Sequence, residues 1–356
     1  MATMHPNQSV RISDPADLIA AIPALLGFRP HRSLVALCLG GTPSVIRTVM
    51  RHDLPEGALT TGDHVALDRM ALVCEGADCD AVIAVVVDDR TAALDDDRAP
   101  GVPVVDAPLD CLGACLSEVG VPLVAAYATT GIDAGRPWWG VLGDPRCGVV
   151  ADPRASEVAA AQVLRGRQIR TSRAELEHLL RPRGHADRRR MARLLATARH
   201  PSSRTVPRGN RAALEFVLAR VAGRGAACPL ADEDVAAIAV ALENLVVRDC
   251  MLGLAVTAEA DGVEQAWVEM TRALPGRSRA DPATLLAFSA YARGDGPMAG
   301  VALAAALAAD PRHRLAGLLD AALRGGVRPD AIVDLAHTGR GIAADLGVTL
   351  PPVAAA

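Results

Sequence analysis

The sequence contains no lysine, and all 37 of its basic residues are arginine. A Schiff base requires a primary amine on a side chain, so this absence excludes pyridoxal phosphate enzymes and other catalysts that depend on lysine. It also excludes kinases and nucleotide-binding loops in which a lysine holds the phosphates. The sequence carries no motif that calls for a cofactor, and we expect none.

Aromatic residues make up only 2% of the chain, and long apolar runs are missing. The longest apolar candidate, residues 298–309, is much shorter than the ~20 residues that a membrane-spanning helix needs. The first fifteen residues lack the apolar core of a secretion signal. Eight cysteines without such a signal are typical of reduced thiols in the cytosol. We therefore expect a cytoplasmic protein that does not contact a membrane.

The first 150 residues alternate between β-rich and helical patterns. Strands are predicted at residues 33–39, 45–54, 81–87, 121–129 and 138–142, and helices at residues 15–26, 63–75 and 109–118. A Gly-Gly-Thr-Pro turn at residues 40–43 joins the first two strands like a hairpin, so at least one strand pair is antiparallel. The pattern predicts a mixed-sheet α/β domain over residues 1–150.

Strand patterns nearly vanish after this point, which predicts an all-helical region over residues 151–356. Asp-Pro pairs at residues 152–153, 281–282 and 310–311 are typical of helix starts, because aspartate caps the first turn and proline fits its first position. The spacing of small and apolar residues over 281–311 fits one tetratricopeptide-like helical hairpin. An ordinary helical hairpin is the alternative, since such repeats are stable only in arrays of about three.

Cysteine spacing offers little support for a metal site. Cys74 and Cys79 are separated by four residues and Cys111 and Cys115 by three, whereas zinc knuckles use two. The second pair lies on an apolar helical pattern, where cysteine acts as a small hydrophobic residue. We therefore expect free thiols and no bound metal.

An acidic candidate site follows the most apolar predicted strand, at Asp88 and Asp89. Ligands of open α/β sheets bind beyond the carboxyl ends of the strands, and oxygen ligands there would suit magnesium. A solvated acidic loop is the alternative, because no glycine-rich phosphate loop accompanies these residues.

A second candidate site combines Arg51 and Asp53, which are two residues apart on a predicted strand and therefore point to one face of the sheet. The loop before the first strand adds four polar residues: Arg29, His31, Arg32 and Ser33. Such a group could hold an anionic small molecule, since guanidinium groups offer forked donors. The alternative is a structural arginine–aspartate pair at the sheet rim. Catalytic residues stay unidentified, because no nucleophile–base motif is present.

Residues 165–211 contain fourteen arginines and three acidic residues, although the whole chain has a net charge of −4. A predicted amphipathic helix in this segment carries a basic surface formed by Arg189, Arg190, Arg193 and Arg199. Such a helix can contact nucleic acid, an anionic membrane or an acidic protein. The alternative is that it packs against the chain's own acidic groups or stays solvated. Nucleic-acid binding is not favoured, because no aromatic residues that could stack on bases lie between the arginines.

The opening block, residues 10–39, resembles the start of an actinobacterial family described as domain of unknown function 4192. Further similar segments lie at residues 51–55, 138–148, 172–176, 248–252, 281–296 and 310–311. The family loop that matches residues 138–148 carries an isolated cysteine and then Cys-Cys-Pro, and only Cys147 remains here. This departure implies that any metal or bridge at that loop is lost. The resemblance implies a fold lineage and no reaction.

Two classes of function fit these observations. The first is a non-catalytic regulatory or scaffold protein whose helical half binds a protein partner or a second copy of the chain. The second is an α/β enzyme or ligand-binding protein for an anionic small molecule near Arg51 and Asp53. The missing nucleophile, metal and phosphate motifs favour the first.

Overall fold

The computed structural model describes residues 14–42, 44–76, 79–91, 103–156, 158–160, 173–200, 202–223 and 229–354. Packing divides the chain into two units, which we call the sheet unit and the helical unit. The sheet unit comprises Met1–Glu175 with Arg324–Gly326, and the helical unit comprises Leu176–Leu323 with Val327–Ala356.

The sheet unit contains one six-stranded mixed sheet. Its strands are β1 (Ser33–Gly40), β2 (Val45–Asp53), β3 (Ala81–Val87), β4 (Leu123–Thr129), β5 (Pro137–Leu142) and β6 (Cys147–Val149), in the order β2-β1-β3-β4-β5-β6. Only β3 and β4 pair in parallel, and the other neighbours are antiparallel. The predicted mixed sheet is confirmed, with β6 as a strand that the sequence pattern did not indicate.

Along the described strands lie helices α1 (Pro15–Leu26), α2 (Thr61–Gly76) and α3 (Pro103–Glu118). Helix α1 has the predicted bounds because local signals define both of its ends. The Asp14 carboxylate accepts the Ala16 amide at 2.8 Å, and Gly27 ends the helix at φ 76°. Helix α3 makes the crossover that the parallel β3–β4 pair requires.

The core of the sheet unit lies between one face of the sheet and helices α2 and α3. From β1 it takes Leu34, Ala36 and Cys38, which alternate with residues that point to the opposite face. Strand β3 lies between β1 and β4, and its apolar sequence fits a strand covered on both faces.

The described residues after the sheet form helices, turns and one isolated bridge between Thr257 and Val353. The helices are α4 (Arg173–Leu179), α5 (His185–Arg199), α6 (Asn210–Val221), α7 (Asp232–Leu242), α8 (Leu245–Leu252), α9 (Ala260–Ala273), α10 (Ala280–Ala292), α11 (Gly296–Ala309), α12 (Arg314–Arg324) and α13 (Pro329–Asp345). Two short 3₁₀ helices lie at Gly253–Val256 and Gly276–Arg279. The predicted helical C-terminal region is confirmed. None of the described helices is long and apolar enough to span a bilayer.

Helices α10 and α11 form a helical hairpin at the predicted place, joined by three residues. Asp295 caps α11 by accepting the Met298 amide at 3.1 Å. The tetratricopeptide-like character of this hairpin stays a prediction.

The prediction that each Asp-Pro pair starts a helix is wrong for two of the three pairs. Asp152 and Asp310 instead accept the amide two residues ahead, from Arg154 at 2.9 Å and Arg312 at 3.2 Å. This local turn competes with helix capping for the same carboxylate. Asp281 lies inside the first turn of α10, which begins one residue earlier.

Candidate functional site

Polar side chains collect at one end of the sheet, which we call the polar rim. The register pairs Ser33, the first residue of β1, with Asp53 of β2 and with Val87 of β3. Strand β4 runs parallel to β3 and places Thr129 beside Val87. The loop before β1 therefore lies beside the carboxyl ends of three other strands, which is where open α/β sheets bind ligands.

Arg51 is the most enclosed arginine of the polar rim, with only 10% of its side chain exposed. Its Nε atom donates to the Ser33 hydroxyl at 2.8 Å, and its guanidinium forms an ion pair with Asp53. The guanidinium carbon also lies 5.4 Å from the centre of the Phe28 ring. Burial lowers the pKa of Arg51 to about 10, and the nearby charge of Arg173 acts in the same direction.

The loop before β1 contributes two further arginines, each paired with a carboxylate. Arg29 forms an ion pair with Asp133, and the Arg32 Nε atom donates to Asp89 at 2.8 Å. The hydrogen bond from Arg32 lowers the pKa of Asp89. His31 reaches the same carboxylate at 3.4 Å from a largely exposed position.

The two aspartates of the acidic candidate site face different partners. Asp88 is fully buried, and its carboxylate accepts from Arg90 at distances down to 2.6 Å. Asp89 lies at the surface against Arg32. Arginine therefore neutralises both carboxylates, which leaves them poorly prepared to hold a magnesium ion.

The predicted basic surface of α5 is divided between internal ion pairs and solvent. Arg190 forms an ion pair with Asp232, and the Arg199 Nε atom donates to Glu243 at 2.8 Å. Arg189 and Arg193 are exposed and make no ion pair with any residue that the structure describes. The helix thus packs partly against the chain's own acidic residues.

The helical unit contains a groove of about 760 Å³. Helices α8, α12 and α13 supply most of its walls. Three leucines on these helices stay exposed at the groove: Leu245 by 60%, Leu318 by 67% and Leu335 by 38%. Exposed leucines around a concave surface are typical of a binding site.

Close packing of backbones lets α13 approach α8 at the bottom of the groove. A Cβ atom on Gly339 would lie 2.4 Å from the Asp249 carbonyl oxygen. Residues 339–344 formally match a dinucleotide-binding fingerprint, but they lie inside α13 rather than between a strand and a helix. Gly339 therefore serves helix packing.

Each carboxylate of the groove has a basic partner. Glu243 pairs with Arg199, Asp249 with Arg248, Asp310 with Arg277 and Asp281 with His313, at distances between 2.5 and 3.0 Å. Arg314 also lines the groove, is exposed, and has no ion-pair partner within the described ranges. Among the described residues, Arg314 is thus a cation of the groove that no local carboxylate neutralises.

His313 and Asp281 resemble a catalytic pair at first sight, but the imidazole is already engaged. Its Nδ1 atom accepts the Ala316 amide at 3.1 Å and so caps α12. The neutral ring therefore carries its proton on Nε2, which donates to Asp281 at 3.0 Å. Neither ring nitrogen is available to a substrate.

Residues 15–330 match the family described as Domain of unknown function (DUF4192). The chain belongs to this family. No curated protein and no solved structure matches it.

Several DUF4192 segments that carried the resemblance lie at the two candidate sites. Residues 51–55 contribute Arg51 and Asp53 to the polar rim. Residues 248–252, 281–296 and 310–311 contribute Arg248, Asp281 and Asp310 to the groove. Segments far apart in the DUF4192 sequence thus meet at one surface of the helical unit.

The sulfur contacts of this DUF4192 chain differ from those that spacing suggested. The Cys38 and Cys74 Sγ atoms lie 3.1 Å apart, and Cys79 is close to both. The hydrogen bond between Cys38 and Cys74 raises the pKa of the first and lowers that of the second. No spacing rule could have found Cys38, because it lies on a strand 36 residues before Cys74.

A thiol–imidazole contact joins α3 to α2 in the same unit. The Cys111 Sγ atom lies 3.0 Å from the His64 Nδ1 atom. Burial raises the pKa of Cys111, and the neighbouring Cys115 adds to the effect. A raised pKa favours the thiol over the thiolate that nucleophilic catalysis requires.

Proposed function

We propose that this protein acts as a non-catalytic regulatory or scaffold protein that binds a protein partner through the groove of its helical unit. The observation that carries the proposal is the exposure of Leu245 and Leu318 at the groove, by 60% and 67%. Burying one leucine side chain contributes about 2 kcal/mol, so two anchor positions supply a useful part of the binding energy.

The charges of the groove support a partner segment that is apolar and carries an acidic side chain. The groove's own carboxylates are paired, whereas Arg314 is exposed and has no ion-pair partner in the described part of the chain. A carboxylate of the partner would complete this pairing and orient the segment, since arginine binds carboxylates through a planar fork. The basic pair Arg189 and Arg193 on α5 offers further attraction to an acidic partner.

The arrangement around His313 supports binding rather than catalysis. Its two ring nitrogens are committed to Ala316 and Asp281, so the groove lacks a free general base at that position. The carboxylates of Glu243, Asp249 and Asp310 are each paired with an arginine of the groove.

A photo-crosslinking experiment tests the proposal with the full chain. A photoreactive amino acid at Leu318 should crosslink in cells to an apolar segment with an acidic residue, identified by mass spectrometry. The corresponding synthetic peptide should then bind the purified protein in calorimetric titration. Leu318→Asp and Arg314→Glu should each weaken that binding by about tenfold or more.

Leu72→Asp provides the matched control, because Leu72 is a leucine of the sheet unit with 51% exposure. Binding that survives in both groove variants, or that is lost equally in the control, would contradict the proposal. A crosslink between two copies of the chain, with a dimer in light scattering that Leu318→Asp dissolves, would identify a second copy as the occupant.

A second candidate function, binding of a small anion at the polar rim, has one specific observation in its favour. The Thr130 hydroxyl oxygen is buried without a hydrogen-bond partner directly after β4. A metabolite that raises the melting temperature of the protein, but of neither Arg51→Ala nor Asp53→Asn, would support this second function.

A further inference from the structure

We propose that Cys38, Cys74 and Cys79 form a three-sulfur binding site for a soft metal ion, and that its occupant is copper(I). The three Sγ atoms all lie within 4.8 Å of one another. The cluster belongs to the sheet unit and is independent of the groove in the helical unit.

The distances between the sulfurs suit one shared ion. Thiolate ligands hold a zinc ion at about 2.3 Å, and sulfurs at this distance around one centre lie roughly 4 Å apart. The 3.1 Å separation of Cys38 and Cys74 is shorter than this value. A small outward shift of one of these side chains would therefore make room for an ion between the three sulfurs.

Three different elements hold the ligands in place. Cys38 lies on β1 and faces the core, and Cys74 lies in the last turn of α2. Cys79 follows α2, and its amide donates to the Cys74 carbonyl at 3.3 Å. Ligands on a strand and a helix are fixed by packing, which is the preorganisation that a metal site needs.

The donor set favours copper(I) over harder or four-coordinate ions. All three donors are sulfur, which selects soft ions such as copper(I) and zinc. A structural zinc ion requires four ligands, and no described histidine, aspartate or glutamate joins the cluster. The adjacent Asp80 carboxylate is engaged elsewhere, because it accepts the Gly41 amide at 2.7 Å. Copper(I) is satisfied by three sulfurs in a plane.

Burial fits an ion that is held without water. Cys38 and Cys74 are fully buried, whereas Cys79 is partly exposed. Cys79 therefore marks the side from which an ion would enter. Each thiol that becomes a ligand releases its proton to solvent, so uptake of copper(I) changes no oxidation state and needs no redox partner.

The test is an anaerobic titration of the reduced, full-length protein with copper(I) in competition with a chromogenic chelator. We expect one copper ion per chain, and X-ray absorption should show three sulfur ligands. Cys38→Ala and Cys79→Ser should each weaken binding by more than about tenfold, the loss seen when even the surroundings of a metal site are disturbed. Circular dichroism establishes that each variant is folded. Substitution of the partly exposed Cys79 disturbs the core less than substitution of the buried Cys38.

Cys111→Ala and Cys147→Ala are the matched controls, because these cysteines lie outside the cluster. They should bind copper(I) as the unchanged protein does. Equal binding by folded Cys38→Ala and Cys79→Ser, or no binding by the reduced protein, would overturn the proposal. Preferential uptake of zinc with four ligands would overturn the assignment of copper(I).

Discussion

His313 lies 3.0 Å from Asp281, measured from its Nε2 atom to the carboxylate Oδ1. The same ring caps α12 through its Nδ1 atom, so one side chain joins the start of α12 to the first turn of α10. Only 8% of the side chain is exposed. The pair therefore stabilises the wall of the groove.

Replacing His313 with alanine should lower the free energy of unfolding by about 1–2 kcal/mol, because α12 loses its N-cap. His313→Asn should recover most of this loss, since asparagine caps helices well. Urea unfolding of the three proteins measures both effects. If His313→Asn lowers the free energy of unfolding as much as His313→Ala does, the contact of His313 with Asp281 is the dominant interaction.

The contribution of Asp63 to the free energy of unfolding should depend on pH. Hydrogen bonds from the Thr60 hydroxyl and amide lower the pKa of Asp63 to about 2, and His52 adds a smaller effect. The pKa in the unfolded chain is about 4. The contribution is therefore complete above about pH 4 and is lost as the pH falls towards 2.

The Asp63→Asn variant should accordingly be less stable than the unchanged protein near neutral pH, with a difference that shrinks below about pH 4. Thermal unfolding between pH 2 and 7 measures this difference. Asp68→Asn, on the exposed side of the same helix, controls for the loss of one charge. A difference that stays constant over this range would count against the low pKa of Asp63.

At the polar rim, Ser33 should matter more for stability than Asp53. The Ser33 hydroxyl accepts from Arg51 at 2.8 Å and donates to the His31 carbonyl at 2.7 Å, and the residue is fully buried. Ser33→Ala leaves a buried donor unpaired and should cost about 1–3 kcal/mol. Asp53→Asn should cost less than about 0.5 kcal/mol, because its side chain is 70% exposed. Chemical denaturation measures the loss of unfolding free energy in both variants. A larger loss in Asp53→Asn than in Ser33→Ala would assign the stabilisation to the ion pair between Arg51 and Asp53.

Two glycines on α13 should respond to alanine in opposite directions. At Gly339 the added Cβ would meet the Asp249 carbonyl, so Gly339→Ala should cost about 1–3 kcal/mol or more through overpacking. Gly341 is exposed with no atom within 4 Å of an added Cβ. Gly341→Ala should stabilise the protein by about 0.5–1 kcal/mol. Similar melting temperatures for the two variants would refute the close packing of α13 on α8.

Strand β6 and the Asp-Pro turns show where local patterns were insufficient. All three residues of β6 are exposed, so it has no alternation of apolar and polar residues, and only pairing with β5 defines it. At Asp152 and Asp310 the same residue types suit a helix cap and a short turn equally well. The surrounding structure decides between these outcomes.

By itself, the sequence determined the bounds of α1, the apolar strand β3, the mixed sheet and the change to helices after it. These features depend on neighbours close in the chain, whose caps, turns and periodicity are visible in a single segment. Only the tertiary structure decided that Cys38 meets Cys74, that Arg199 reaches Ser278 across 79 residues, and that Leu245 and Leu318 border one groove. Such contacts arise from the packing of whole helices and strands, and no local spacing encodes which distant side chains that packing brings together.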